Sequence, residues 1–316
     1  VTFDNTDVDT YVDRTSKFAL RGHSSMIDMD GEYAIMPDRG LRLLNVEPSR
    51  GAAPCHLALD PAGRNLFVAN YGGTLAAFPI RRDGQIGPAG TVFTNEGTGA
   101  DRGRQDAPHV HAVGTDRAGR FLHACDLGTD EVLTFRIGEK PGELTLASRV
   151  KTPGGVGPRH FVLGQGGRFL YTNNEIRPGV TTFARDPRTG ALVAKSTVSS
   201  LGPGTWPSGA NTAEIVLHPN GRWLYVSNRG AETIALFRID ANGLPVFVEA
   251  VPAGVREPRG FTLDPSGRWL VAAGQRSNAI VSLRVDAKTG RLTPTGKSIT
   301  VGKPVSIVFL APMSTN

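Results

Sequence analysis

Side chains that can move protons or bind anions recur in this chain at fixed distances from a repeated glycine. The glycine stands at positions 31, 63, 119, 167, 221 and 267, each time between two short apolar stretches. The position eight residues before it holds His23, Cys55, His111, Arg159, Ala213 and Arg259, and the next position holds Ser24, His56, Ala112, His160, Glu214 and Gly260. The position eight residues after it holds Arg39, Tyr71, Leu127, Glu175, Arg229 and Gln275. Imidazole and carboxylate groups serve as general acids and bases, and arginines stabilise negative charge, so these positions are candidates for catalysis on an anion.

The elements that carry these residues are predicted to be β-hairpins. Each copy, such as CHLALDPAGRNLFVAN (55–70) or AEIVLHPNGRWLYVSN (213–228), has an apolar strand, a polar turn and a second apolar strand. The first copy, HSSMIDMDGEYAIMPD (23–38), is weaker. A third strand follows each of the other five copies, for example EVLTFRI or TIALFRID, and a fourth follows in several. Four antiparallel strands per repeat, with no amphipathic helix, indicate the blades of a β-propeller.

The chain ends predict how the ring closes. The segment PVSIVFL (304–310) resembles a first strand without a hairpin partner, and the stretch from Thr2 to Leu20 is long enough to supply the missing strands. Pairing them in one blade hides the edge strands and, with six internal units, gives seven blades. The predicted fold is therefore all-β, a seven-bladed propeller of four-stranded antiparallel blades that forms a single domain over residues 1–316.

Strand direction brings the three sets of residues together. The start of the first strand and the end of the second lie at the same end of a hairpin, and all blades point the same way around the axis. The charged positions should therefore meet at one mouth of the propeller. We expect substrate contacts there from the side chains of His23, Arg39, His56, His109, His160, Glu214, Arg259 and Gln275. The long connection at 94–109 should lie over the same mouth and help to hold an anion through Arg102 or Arg104.

Two other kinds of site, a metal centre and a serine nucleophile, fit this mouth less well. The sequence PHVH (108–111) puts two histidines on one strand face, but nearby arginines repel a metal ion and the spacing fixes no third ligand, so no metal is predicted. A serine nucleophile is not indicated, because the chain has no G-x-S-x-G motif.

Composition restricts the partners. The 316 residues carry a formal net charge of +6, which favours anionic partners. The basic residues are dispersed, so a small anionic ligand is preferred to nucleic acid.

No apolar run is long enough to span a membrane. The two cysteines fall at different positions of different repeats, which predicts no disulfide and favours the cytoplasm, with a secreted or periplasmic location left open. The oligomeric state is not predicted.

A family resemblance rests on an ordered set of short motifs. They are PCHL, NYGG, EGTG, RQ, PHVH, CDLGTDEV, GPRH, NE, AEI, YVSNRG and EPRGF. From about Leu41 to Leu310 the chain resembles the seven-bladed lactonase family, which includes propeller-type 6-phosphogluconolactonases and a fungal carboxymuconate lactonising enzyme. Residues 1–40 match poorly, and Gly260 stands where a bulkier or polar residue is expected.

The resemblance implies an activity and four catalytic residues. It assigns the catalytic positions to His111, Arg159, Glu175 and Arg229, with no cofactor, and implies hydrolysis of a small anionic sugar lactone such as 6-phosphogluconolactone. In this reading the two arginines bind the anion and stabilise the oxyanion, while Glu175 or His111 is the base. The alternatives are a muconate-type or sugar-acid enzyme on the same scaffold, and a non-catalytic propeller that binds a partner.

Overall fold

A computed structural model describes residues 18–20, 32–35 and 41–309. Its strands form six antiparallel sheets in which neighbours in sequence are neighbours in space. The first sheet has three strands: β1 (Phe18–Leu20), β2 (Glu32–Ile35) and β3 (Leu41–Asn45). The second has four: β4 (Pro54–Leu59), β5 (Asn65–Asn70), β6 (Thr74–Pro79) and β7 (Thr91–Thr94). The third contains β8 (Val110–Thr115), β9 (Phe121–Asp126), β10 (Glu131–Ile137) and β11 (Leu144–Lys151).

The remaining three sheets repeat this arrangement. The fourth contains β12 (Pro158–Leu163), β13 (Phe169–Asn174), β14 (Gly179–Arg185) and β15 (Leu192–Ser199). The fifth contains β16 (Asn211–Leu217), β17 (Trp223–Arg229), β18 (Thr233–Ile239) and β19 (Pro245–Pro252). The sixth contains β20 (Pro258–Leu263), β21 (Trp269–Gly274), β22 (Ala279–Val285) and β23 (Leu292–Thr300). The one helical element in the described residues is a 3₁₀ turn at Gln165–Gly167.

The repeated turn explains why each hairpin forms where it does. In the second sheet the Asp60 carboxylate accepts hydrogen bonds from the backbone N–H groups of Arg64 and Asn65. Gly63 adopts a φ of 64°, a left-handed conformation that glycine reaches at little cost. The third sheet repeats the aspartate contact with Asp116. This turn fixes the register of the two strands, and so the positions of the residues at their far ends.

The hydrophobic core is divided into layers between neighbouring sheets. Successive residues of one strand point to opposite faces, so a central strand contributes to two layers. In β17, Leu224 and Val226 pack toward the fourth sheet, whereas Trp223 and Tyr225 pack toward the sixth. The strand is buried along its whole length, while the outer strand β11 alternates between partly buried and exposed residues. The fifth sheet is thus held by the two beside it.

The first strands of the sheets gather around a common axis. Strand β4 contacts β8, β8 contacts β12, β12 contacts β16 and β16 contacts β20. Residues of β4, β12, β16 and β20, together with residues 306–308, line a cavity of about 190 Å³. A side chain at Gly260 would meet the carbonyl oxygen of Val305, so glycine at this position lets the C-terminal segment pack against β20.

The predicted propeller of four-stranded antiparallel blades is confirmed by five complete sheets. Cys55 and Cys125 are both free. Two details differ from the prediction. The strand paired with β2 is Phe18–Leu20, so this segment belongs to the first sheet, and the predicted strand before Gly31 lies outside the described residues. Residues 304–309 are not assigned as a strand, and closure of the ring by both chain ends stays a prediction.

The layered core gives a stability prediction. Leu224 is fully buried between two sheets, so Leu224→Ala should lower the free energy of unfolding by about 2–5 kcal/mol through lost contacts and a cavity. The matched control is Leu43→Ala, because Leu43 is 48% exposed. Urea denaturation of both variants measures the difference, and equal effects would contradict a core divided between the sheets.

Candidate active site at the axial mouth

The candidate catalytic residues lie at irregularities that recur at the start of each first strand. In five sheets the pairing of the first and second strands shifts register at this point. The shift falls at Cys55, His111, Arg159, Ala213 and Arg259 or directly beside them. A bulge adds a residue to one strand and changes the direction of its side chains. The same local distortion therefore sets the orientation of His111, Arg159 and Arg259.

Backbone hydrogen bonds bring the ends of the second strands to these bulges. The N–H of Glu175 donates to the carbonyl of Gly157, and the N–H groups of Tyr71, Leu127 and Gln275 make equivalent bonds. Arg229 ends β17 and pairs in register with Asn211. The two sets of positions, eight residues before and eight after the turn glycine, thus meet at one end of each sheet.

The centre of the site is the carboxylate of Glu175, which contacts three arginines from three parts of the chain. Its Oε2 lies 3.0 Å from Nε of Arg159 and 3.1 Å from Nη2 of Arg229. Its Oε1 lies 2.5 Å from Nη2 of Arg104, which belongs to the connection at 94–109. Arg159, Glu175 and Arg229 are all buried, whereas the Arg104 side chain is 44% exposed. The connection therefore reaches the site through Arg104 and covers Glu175.

The surroundings of Glu175 keep it ionised. Burial raises the pKa of its carboxyl, but the charges of Arg229 and Arg159 and the hydrogen bond from Arg104 lower that pKa to about 2. At neutral pH the group is a carboxylate with little tendency to accept a proton. The Glu175 carboxylate is therefore better suited to holding the arginines in place than to acting as a base.

His111 is a neutral histidine of the site. Burial, with the positive charges of Arg159 and Arg259, holds the pKa of its imidazole well below the ordinary value. Its ring packs edge-on against Tyr71 and lies 5.1 Å from the ring of His160, measured between centroids. The Nδ1 atom of His111 has no hydrogen-bond partner among the residues that the structure describes. An uncharged, buried imidazole beside arginines can accept a proton once a bound anion offsets their charge.

A hydrogen-bonded chain leads from Arg159 to the axial cavity. Nη1 of Arg159 donates to the carbonyl of Ala213 and lies 2.9 Å from Nε2 of His160. Because a guanidinium has no acceptor, His160 Nε2 must accept, and the ring proton resides on Nδ1. Nδ1 donates to Oε1 of Glu214 over 3.0 Å. His160 and Glu214 line the cavity together with His56, whose ring is 5.0 Å from that of His160.

The rim of the mouth is aromatic on one side. The ring of His109 stacks on that of Tyr71, with 4.2 Å between the centroids, and its Nδ1 lies 2.9 Å from the Tyr71 carbonyl. Burial raises the pKa of the Tyr71 hydroxyl, which hydrogen-bonds Arg104. Arg102, the other arginine suggested for this role, is exposed.

Arginines outnumber carboxylates around the mouth. Glu257 lies 3.8 Å from Arg229 and 3.6 Å from Arg276. Arg259 is half-buried, and within the described part of the chain its side chain has no carboxylate partner and no hydrogen bond. Its charge lowers the pKa of Arg229 and His111, although burial is the larger cause for both. The site thus has positive charge that its own glutamates do not balance.

The structure brings together most of the predicted site residues. His56, His109, His111, Arg159, His160, Glu175, Glu214, Arg229 and Arg259 lie at or just beneath the mouth, and Gln275 follows β21 at the same end. His23 and Arg39 lie outside the described residues. Tyr71 occupies the same repeat position as Glu175, but it was not among the predicted substrate contacts. The prediction also omitted Glu257, which precedes Arg259 by two residues, so extending the repeat comparison by two positions would have found it.

Comparisons with known proteins show which family the chain belongs to. The sequence profile of the family "Lactonase, 7-bladed beta-propeller" matches residues 31–309. The chain belongs to this family. It is 30% identical to the 6-phosphogluconolactonase of Bacillus subtilis over 88% of this chain and 79% of that protein. The periplasmic gluconolactonase of Pseudomonas aeruginosa superposes with a TM-score of 0.87 at 29% identity, covering 96% of this chain and 88% of that one.

Membership of the lactonase family makes this chain an enzyme that acts on lactones. The described residues include no group of three His, Cys, Asp or Glu side chains arranged to hold a metal ion. No helix in the same part of the chain could cross a membrane.

The ionised state of Glu175 gives a pH-dependent prediction. Glu175→Gln leaves three arginines without their shared carboxylate and should lower the free energy of unfolding by about 3 kcal/mol at pH 7. The folded pKa of about 2 lies below the ordinary value of about 4.3, so this stabilisation is present above pH ~4.3 and is lost as the pH falls toward 2. The gap between wild type and variant should therefore shrink on acidification.

Urea denaturation at a series of pH values measures that gap. Glu139→Gln is the control, because Glu139 is exposed and its replacement should change stability by less than about 0.5 kcal/mol. A Glu175→Gln variant as stable as the wild type at pH 7, or a deficit that does not vary with pH, would contradict the assignment.

Proposed function

We propose that this lactonase hydrolyses a small sugar lactone with a negative charge, and that its substrate is 6-phosphogluconolactone. Water adds to the lactone carbonyl carbon, the bond from that carbon to the ring oxygen breaks, and the ring oxygen takes a proton to give 6-phosphogluconate. The observation that carries the proposal is the surplus of arginines around a buried neutral histidine. Relatives named 6-phosphogluconolactonase support the choice of substrate.

His111 is the base in this proposal. It takes a proton from the attacking water and returns it to the ring oxygen, and such a group contributes about 10²–10⁴-fold to the rate. The pKa of Glu175 is about 2, so this carboxylate is a poor acceptor and instead fixes the arginines. Arg159 and Arg229 stabilise the oxyanion formed at the carbonyl, since each donates from a site where the surroundings already orient it.

Arg259 binds the phosphate. The guanidinium groups of Arg159 and Arg229 already share the carboxylate of Glu175, whereas Arg259 has no such partner in the described residues. A phosphate monoester carries a charge of about −1.5 to −2 at neutral pH and offers three acceptor oxygens. It would balance the positive charge of the mouth and raise the pKa of His111 toward the range useful to a base.

A neutral sugar lactone is the second candidate substrate. One structural neighbour is described as a periplasmic gluconolactonase, and gluconolactone carries no phosphate. It needs the same oxyanion contacts but no partner for Arg259. The muconate-type alternative also needs the arginines, because its lactone carries carboxylates.

Replacing His111 tests its role as base. His111→Gln should lower kcat/KM for 6-phosphogluconolactone by about 10²–10⁴-fold. Because the pKa of His111 in the free enzyme lies well below 6.5, titration of this histidine should not lower the wild-type kcat/KM between pH 7 and pH 6. The substrate phosphate, whose second pKa is about 6, accounts for a fall of at most about twofold. Lactone opening is followed by titration of the acid released, corrected for spontaneous hydrolysis. Full activity of the variant would refute this role.

Replacing Arg259 tests the choice of substrate. Arg259→Gln should lower kcat/KM for 6-phosphogluconolactone by about 10–100-fold, the value of a lost charge-assisted hydrogen bond, and leave gluconolactone within about threefold. Arg256→Gln is the matched control, because it removes an exposed positive charge three residues away. If the wild-type enzyme prefers the neutral lactone, the proposal that 6-phosphogluconolactone is the substrate is wrong. A loss of equal size on both lactones would reject the role of Arg259.

A further inference from the structure

The pair formed by His160 and Glu214 has both ring nitrogens of its imidazole engaged within the protein. Nε2 accepts from Arg159 over 2.9 Å, and Nδ1 donates to Glu214 over 3.0 Å. His160 is buried, and the Glu214 side chain is 23% exposed. Neither ring nitrogen points unoccupied into the mouth, so the pair is poorly arranged for direct contact with a substrate.

The backbone around the pair is held as firmly as its side chains. The N–H of His160 donates to Oδ1 of Asn173, and Nδ2 of the same asparagine donates to the carbonyl of Ala213. That carbonyl also accepts from Arg159. The N–H of Glu214 donates to Oγ of Ser227. The bulges of the fourth and fifth sheets are thereby joined into one frame whose common member is the Arg159 guanidinium.

The contacts of Arg159 show what this frame fixes. Its side chain is 2% exposed, with Glu175 on Nε and with Ala213 and His160 on Nη1. His160 can accept from Nη1 only while its Nε2 carries no proton, and the bond to Glu214 holds the proton on Nδ1. Glu214 thus determines, through His160, whether Nη1 of Arg159 has a second partner beside the carbonyl of Ala213.

We propose that Glu214 and His160 are positioning residues. They lie in the wall of the axial cavity, orient Arg159 so that it can stabilise the oxyanion, and do not touch the substrate. The inference rests on the proposed function of Arg159. It makes the cavity beneath the mouth part of the catalytic apparatus, because the cavity is lined by both residues and contains the outer end of the chain Glu214–His160–Arg159.

Substitutions at Glu214 give the first test. Glu214→Ala removes the acceptor for His160, and a displacement of Arg159 by about 1 Å should lower kcat by about 10–100-fold with KM within about threefold. Glu214→Gln retains an oxygen that can accept from Nδ1, so its kcat should stay within about threefold of wild type. Urea denaturation shows whether each variant is folded at the assay temperature. An increased KM with unchanged kcat in Glu214→Ala would overturn the proposal, because it indicates direct contact with substrate.

A double-mutant cycle tests whether Glu214 acts through Arg159. An Arg159→Lys background has no guanidinium for Glu214 to orient. In that background Glu214→Ala should change kcat by less than about threefold. A loss as large as in the wild-type background would overturn the proposal, since Glu214 would then act on catalysis by another route.

The tautomer of His160 gives a readout that needs no activity. With ¹⁵N-labelled histidine, NMR should find His160 protonated at Nδ1 and unprotonated at Nε2 at pH 7 in wild type, and altered ring shifts in Glu214→Ala. A proton on Nε2 would overturn the proposal. If the wild-type protein opens neither 6-phosphogluconolactone nor gluconolactone, the proposed function is wrong. The NMR result then decides by itself whether His160 and Glu214 orient Arg159.

Discussion

The site depends on one carboxylate that three arginines share. A buried guanidinium is costly unless a counter-charge and good hydrogen bonds accompany it, and removing one partner of such a group leaves an uncompensated charge. Glu175 supplies the counter-charge for Arg159 and Arg229, and it also anchors the connection at 94–109 through Arg104. The same cluster leaves Arg259 without a carboxylate in the described residues, so the protein's own charges stabilise the site and still favour an anionic ligand.

The architecture explains how such a cluster can be assembled from distant parts of the sequence. Arg159 lies on β12 of the fourth sheet, and Glu175 directly follows β13 of the same sheet. Arg229 ends β17 of the fifth sheet, and Arg104 belongs to a connection that precedes the third. The sheets pack on their neighbours, as the fifth does on the fourth and sixth. The hairpin turn and the core layers therefore fix the positions of the residues at the axial end of a sheet. The bulge at the start of each first strand then directs a side chain toward the site. Neighbouring sheets thus use the same local geometry with different residues.

Much of this arrangement could be predicted from the repeat. Comparing the copies separates positions that form the turn and core from those that vary, and strand direction places His111, Arg159, Glu175 and Arg229 at one end. The bulges could not be predicted, because they depend on how each first strand packs against the next sheet. For the same reason the sequence did not show that His160 and Glu214 would lie behind Arg159, or that Arg104 and not Arg102 would reach Glu175. The first sheet has the weakest repeat signal, and there the predicted strand pairing differed from the structure.

A crystal structure of the wild-type protein with 6-phosphogluconate would test the central claim most directly. The account predicts the product carboxylate within hydrogen-bond distance of Arg159 or Arg229, the phosphate on Arg259, and Glu175 still bound to its arginines. Product bound away from these arginines, or Arg159, Glu175 and Arg229 dispersed with no shared contact, would contradict it.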